Sequence, residues 1–235
     1  MSSTVEIQMP DGVADAYLAR PDDDPHPGVL LLMDAYGLRP VIEEMADRIA
    51  ADGYLVLAPN VFYRAGRSPV QPGMDFQKIR PLMAELTPER LAADGAAYLD
   101  YLAAVGSGGP VAITGYCMGG RLGWWIAVAQ PDRVAALAAF HTGGLVTEDP
   151  DSPHRAAGTV DAELYFGFAD QDQGMTEEHI ETFEQALQDA GANYHVEVYE
   201  GARHGYTMAD LQVHDEAASE RHFGELRALL ERTLG

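Results

Sequence analysis

The chain has 235 residues, with 37 acidic against 15 basic side chains and a formal net charge of −22. So negative a surface repels phosphate backbones and anionic lipid, which argues against nucleic acid or a membrane face as a partner. The hydrophobic fraction of 47% is ample for the core of one large α/β domain, expected to run over residues 1–235.

In chain order, "VEIQM" and "DAYLA" alternate as short strands around the turn signal "PDG". Residues Val29 to Met33 are continuously apolar, as a strand buried on both faces requires. "RPVIEEMADRIAADG" has the spacing of an amphipathic helix ending at Gly53, and "YLVLAP" is a second buried strand. Residues 60–87 carry Pro and Gly with weak periodicity and are expected to form a loop with short helical pieces, walling a pocket. A helix follows, capped by Thr87 with Pro88 at its first position. Then come strand "VAIT", helix "GGRLGWWIAVAQ", strands "VAALAAF" and "AELYFGFA", a helix capped by Thr176, strand "YHVEVY" and a last helix. A hairpin followed by repeated strand–helix units predicts a mostly parallel sheet with helices on both faces. Ligands bind such sheets at the carboxyl ends of the strands.

The chain contains no apolar run near the roughly 20 residues that span a bilayer. "MSSTVEIQMPDG" has neither a basic n-region nor an apolar h-region, so no secretory signal is expected and the cytoplasm is the expected compartment. A lone cysteine excludes an internal disulfide and cysteine-based zinc.

That cysteine lies in Gly115-Tyr116-Cys117-Met118-Gly119, between a predicted strand and a predicted helix. The pattern is a G-x-S-x-G elbow with sulfur in place of the hydroxyl. The flanks must be small because the bend is tight, and the helix N-terminus below it favours a thiolate. A structural cysteine among packing glycines is the plainer alternative. His204, in "YEGARHGYT", is the histidine placed directly after the last strand, as a base needs to be; His141, in "AFHTGG", is its competitor. Asp170, in "YFGFADQDQG", is expected to orient the imidazole, with Asp172 as the alternative. A calcium loop is dismissed there, since Gly174 and Met175 occupy its fifth and sixth positions. The order Cys117, Asp170, His204 is that of an α/β-hydrolase triad. The loop "MDAYG" after the first buried strand is placed to supply one oxyanion donor, the amide of Ala35, and the amide of Met118 the other. Asp34 beside it is unexpected, because a carboxylate repels an oxyanion. Tyr36, Tyr116, Trp124 and Tyr206 are expected to line the pocket.

Together "PGVLLLMDAYGL", "GYCMGGRL", "GFADQD" and "GARHGY" resemble the dienelactone hydrolase family over most of the chain. The resemblance implies an α/β-hydrolase fold, a Cys–His–Asp triad at Cys117, His204 and Asp170, and hydrolysis of a small ester or lactone without metal or organic cofactor. In the family enzyme a glutamate stands at the position of Asp34 and contacts the resting cysteine. Two arginines there hold the substrate carboxylate. Arg80 matches the first, whereas Met208 occupies the second position. A substrate related to dienelactone, rather than dienelactone itself, is therefore expected. Arg121 is expected to form a helix-surface salt bridge. The rival readings are a thioesterase on the same triad and a non-catalytic protein that binds a small ligand. The partner is a small molecule, and the chain is expected to be a monomer or small homo-oligomer.

Overall fold

A computed structural model describes residues 1–66, 70 and 74–235. Eight strands form one sheet in the order β1-β2-β4-β3-β5-β6-β7-β8. β1 (Ser2–Met9) and β2 (Gly12–Ala19) are the antiparallel hairpin around Pro10 and Asp11, β1 longer at the open end and β2 at the turn end than the alternation alone suggested. β2 also pairs antiparallel with β4 (Leu55–Pro59). From there β3 (Gly28–Leu32), β5 (Val111–Tyr116), β6 (Val134–Phe140), β7 (Glu163–Gln171) and β8 (Tyr194–Arg203) continue in parallel.

Every residue of β3, β4 and β5 is buried, as continuous apolar runs in a sheet covered on both faces must be. The cover consists of α1 (Pro40–Ala51), α3 (Pro88–Val105), α4 (Met118–Ala129) and α6 (Glu216–Leu234). α3 and α4 pack on each other and on β3, while α6 crosses β5, β6 and β7. α5 (Glu177–Ala190) lies against a short 3-10 segment at residues 153–159. The side chains of Thr87, Thr176 and Asp215 cap α3, α5 and α6, each accepting from a backbone N–H of the first turn. Among the described residues, the irregular stretch after β4 holds one 3-10 turn and α2 (Phe76–Ala84), whose cap is Asp75.

This topology brings four connections to one edge. The loop after β3 carries residues 33–39, the turn after β5 carries Cys117, and the loops after β7 and β8 carry the acidic and histidine segments.

Candidate active site

Cys117 sits between β5 and α4 with φ 54° and ψ −116°, a left-handed conformation for a residue with a Cβ. Such backbone costs about 1–3 kcal/mol and persists only where its surroundings enforce it. They do so here. A Cβ on Gly115 would lie 2.4 Å from the Gly119 carbonyl oxygen, and one on Gly119 would lie 2.2 Å from the Leu32 carbonyl oxygen. The bend thus presses on both its own helix and the end of β3, and the Cys117 N–H is tied to the Phe140 carbonyl of β6 at 3.0 Å.

The sulfur is 2.9 Å from Nε2 of His204, and Nδ1 of the same ring is 2.5 Å from Oδ2 of Asp172. The carboxylate that meets the histidine is therefore Asp172, not Asp170. β7 runs on through Gln171, and strand alternation turns Asp170 outward, where its Oδ2 accepts the Gly201 N–H of β8 at 2.9 Å. Only past the strand end does the chain swing a carboxylate under the imidazole. The other oxygen of Asp172 accepts the Gly174 N–H at 2.7 Å, which fixes its rotamer. Burial disfavours the His204 cation, but the hydrogen bonds and charges of Asp172 and Cys117 outweigh that cost and push its pKa up to about 10.

His141, the competing histidine, touches the site without joining it. It is fully buried, with φ 40°, and packs edge-on against His204 at 5.2 Å between ring centroids. Its Nε2 pairs with Thr207 Oγ1 at 2.8 Å, and its Nδ1 has no partner among the described residues. Burial, with the nearby His204 and His222, drives its pKa well down, so the ring is neutral.

The thiol and imidazole open into a cavity of about 340 Å³ that Ala35, Tyr36, Phe76, Leu211 and Val213 help to line. Asp34 borders it too, but its carboxylate is turned aside. Arg39 Nη1 and Nη2 donate to Asp34 at 2.6 and 3.0 Å, and the Tyr36 N–H donates at 2.9 Å. The other edge of the same guanidinium, Nε and Nη2, grips Asp210 at 2.7 and 3.1 Å. One arginine thus straps the loop after β3 to the segment that follows His204. Burial raises the Asp34 carboxyl pKa above its ordinary value, and the Arg39 hydrogen bonds and charge offset only part of that rise.

The pattern of the Dienelactone hydrolase family matches residues 14–234. Two relatives named "Putative carboxymethylenebutenolidase" support the match. The Escherichia coli (strain K12) protein is 34% identical over 213 residues, covering 87% of this chain and 76% of its own. The Yersinia pestis protein is 33% identical over 218 residues, covering 87% and 79%. The chain belongs to the dienelactone hydrolase family. It is an ester or lactone hydrolase of that kind. A crystal structure titled "Putative Dienelactone Hydrolase" from Klebsiella pneumoniae subsp. pneumoniae MGH 78578 has the same fold, with a TM-score of 0.90 at 24% identity and coverage of 99% and 98%.

Several residues expected in the pocket of this hydrolase lie elsewhere. Tyr116 points into the core, stacked on Phe140 and edge-on to His222, because every side chain of β5 is covered. Trp124 faces away from the bend, packing on Phe166 and Phe183 and donating to the Pro153 carbonyl at 3.0 Å. Tyr206 is buried against Tyr199 and His141 and donates to the Gly167 carbonyl at 3.3 Å. Arg80 is exposed on α2 and does not line the cavity; Phe76, one helical turn earlier, does. Met208 is fully buried. Arg121 forms no salt bridge among the described residues and lines a separate cleft with Trp125 and Gly144. The wall that sequence reasoning missed, Leu211 to Val213, has no motif; only its nearness to His204 in the chain hinted at it.

Proposed function

We propose that this dienelactone hydrolase family member cleaves a small ester or lactone through a Cys117–His204–Asp172 triad. The observation that carries the reading is the unbroken chain of contacts from Sγ to Nε2 and from Nδ1 to the Asp172 carboxylate. With its pKa pushed up to about 10, His204 holds its proton at neutral pH, and its Nε2–H faces Cys117 Sγ, which reacts as the thiolate. The thiolate adds to the substrate carbonyl carbon. The N–H groups of Ala35 and Met118 receive the oxyanion, each contributing roughly 3 kcal/mol to the barrier reduction. Met118 is the first residue of α4, so its N–H is one of those that a helix leaves free.

Collapse of the tetrahedral species breaks the C–O bond, and His204 gives its Nε2 proton to the departing oxygen. An acyl-thioester on Cys117 remains. The neutral imidazole then takes a proton from water, whose oxygen adds to the thioester, and expulsion of the thiolate restores the resting pair. Asp172 keeps the ring in orientation and stabilises its cation in both halves.

The test is hydrolysis of p-nitrophenyl acetate by Cys117→Ala, with an acyl-thioester run beside it. The expected result is loss of at least 10³-fold in kcat/KM with the fold intact by circular dichroism. Undiminished turnover removes Cys117 from the chemistry, and a marked preference for the thioester reassigns the substrate class.

A further inference from the structure

We propose that His141 is the positioning residue of the catalytic base: it fixes the turn that carries His204, and with it the alignment of that imidazole between Cys117 and Asp172. The inference rests on the triad reading above and adds to it a residue that acts through His204 rather than on the substrate. Its basis is a set of contacts that converge on one turn. Residues 204–207 follow β8, and His204, Tyr206 and Thr207 all meet His141. The His204 and Tyr206 rings each lie edge-on to its ring, with centroids 5.2 Å away, and Thr207 Oγ1 is 2.8 Å from its Nε2. His141 is in turn anchored on β7. Its N–H donates to the Gly167 carbonyl at 2.8 Å, and the Tyr206 hydroxyl donates to that same oxygen at 3.3 Å. A Cβ on Gly167 would lie 2.9 Å from the Phe140 and Tyr199 rings and 3.0 Å from the Tyr206 hydroxyl, so the absence of a side chain there lets these groups close around the anchor.

Backbone strain marks the same residue. Among the described residues, the non-glycine positions with positive φ are Cys117 at 54° and His141 at 40°. Such backbone is costly for a residue with a Cβ and survives where the surroundings over-determine it. One of the two presents the nucleophile, and the other braces the base. The side chain also suits its place. His204 carries the positive charge of the resting pair, so a neighbour packed on its ring has to be uncharged. Burial, together with His204 and His222, keeps the His141 ring neutral. A phenyl ring would fill this space but offer Thr207 no polar atom, whereas an imidazole supplies both wall and hydrogen bond. Precision matters because the His204 contacts to Sγ and to Asp172, at 2.9 and 2.5 Å, lie on opposite edges of one ring. A shift that shortens one lengthens the other, and a misplacement of about 1 Å costs on the order of 10²-fold in rate.

The experiment measures kcat and KM on p-nitrophenyl acetate, and the His204 pKa by NMR, in Thr207→Val, Thr207→Ser and His141→Phe. Thr207→Val removes the hydrogen bond to Nε2 at nearly constant volume. Acylation and deacylation both use the His204 ring, so kcat is expected to fall about 10- to 100-fold with KM within about threefold. The His204 pKa is expected to come down from its raised value as the ring leaves its alignment with Asp172 and Cys117. Thr207→Ser keeps the hydroxyl and is expected to restore kcat to within about threefold of the parent. His141→Phe keeps a ring against His204 and loses the same hydrogen bond, so it carries the same expectations where Thr207→Val does not fold. The double variant is expected to be no more than about threefold below the worse single one, because both changes break one contact. Parental kcat without the hydrogen bond, a loss that Thr207→Ser does not restore, or a loss at an unchanged His204 pKa overturns the inference and leaves the hydrolase intact. An inert parent protein overturns the triad reading itself, and the inference with it.

Discussion

Asp170→Asn and Asp172→Asn separate two carboxylates that lie two residues apart in the sequence and face different partners. In Asp172→Asn the amide occupies the same space, but the charge under the imidazole is gone. Two opposite charges about 4 Å apart at an effective dielectric near 20 interact by roughly 4 kcal/mol. The His204 side chain is 38% exposed, so solvent screens part of that, and half is a reasonable remainder. A loss of about 2–4 kcal/mol in the stability of the imidazolium corresponds to a fall of roughly 30- to 1000-fold in kcat/KM. Asp170→Asn keeps an oxygen to accept the Gly201 N–H, and its site is exposed, so its kcat/KM is expected to stay within about threefold of the parent. The assay is p-nitrophenyl acetate hydrolysis at pH 7 for both variants, with thermal midpoints recorded alongside. If Asp170→Asn is as crippled as Asp172→Asn at an unchanged midpoint, the assignment of the acid is wrong. If Asp172→Asn retains parental kcat/KM, the reasoning from geometry to catalysis fails.

Four further expectations follow from the structure. In an NMR titration His204 should ionise far above an ordinary histidine, and in Cys117→Ala its pKa should fall, though not to 6.5, because Asp172 remains. Because the folded pKa is raised, the stabilisation from this cation is complete below about pH 6.5 and lost as pH rises through about 10; denaturant midpoints measured from pH 6 to 10.5 should decline across that window in the parent more than in Asp172→Asn. Arg39→Met leaves Asp34 buried without its cation and cuts the strap to Asp210, which should cost about 3–5 kcal/mol in urea unfolding and lower kcat more than it raises KM. Gly119→Ala drives a methyl group into the Leu32 carbonyl, so at least about 3 kcal/mol of destabilisation is expected, against little for Gly224→Ala, whose added Cβ meets nothing within 4 Å.

The chemistry was legible where backbone rules compel residue types. The bend at Cys117 announces itself because Gly115 and Gly119 are forced by contacts of 2.4 and 2.2 Å that no side chain tolerates. The strand runs from Val29 and from Leu55 read correctly because both faces are covered and so every position must be apolar. The caps at Thr87 and Thr176 read correctly because orphan N–H groups need an oxygen. The carboxylate beside His204 lies two residues later than expected because an apolar run does not say where a strand stops. β7 extends through Asp170 and Gln171 by pairing with β8, and that pairing is a tertiary fact.

The pocket wall illustrates the same limit with a chemical consequence. Aromatic residues near the motif were expected to line it, yet Tyr116, Trp124 and Tyr206 are all below 2% exposed and their polar atoms are spent on the core. A tyrosine beside a nucleophile in sequence lies on a strand whose faces both belong to the interior, so proximity along the chain points away from the cavity rather than into it. Arg39 carries the opposite lesson. In the sequence it is one cation at the start of an amphipathic helix, with no signal of its own. In the fold it pairs with the buried Asp34 carboxylate, and it ties that loop to the segment after His204. The discordant Asp34 is thereby explained: it is held by two hydrogen bonds to an arginine five residues ahead of it. Electrostatic compensation of this kind depends on which guanidinium arrives, and only the packed structure decides that.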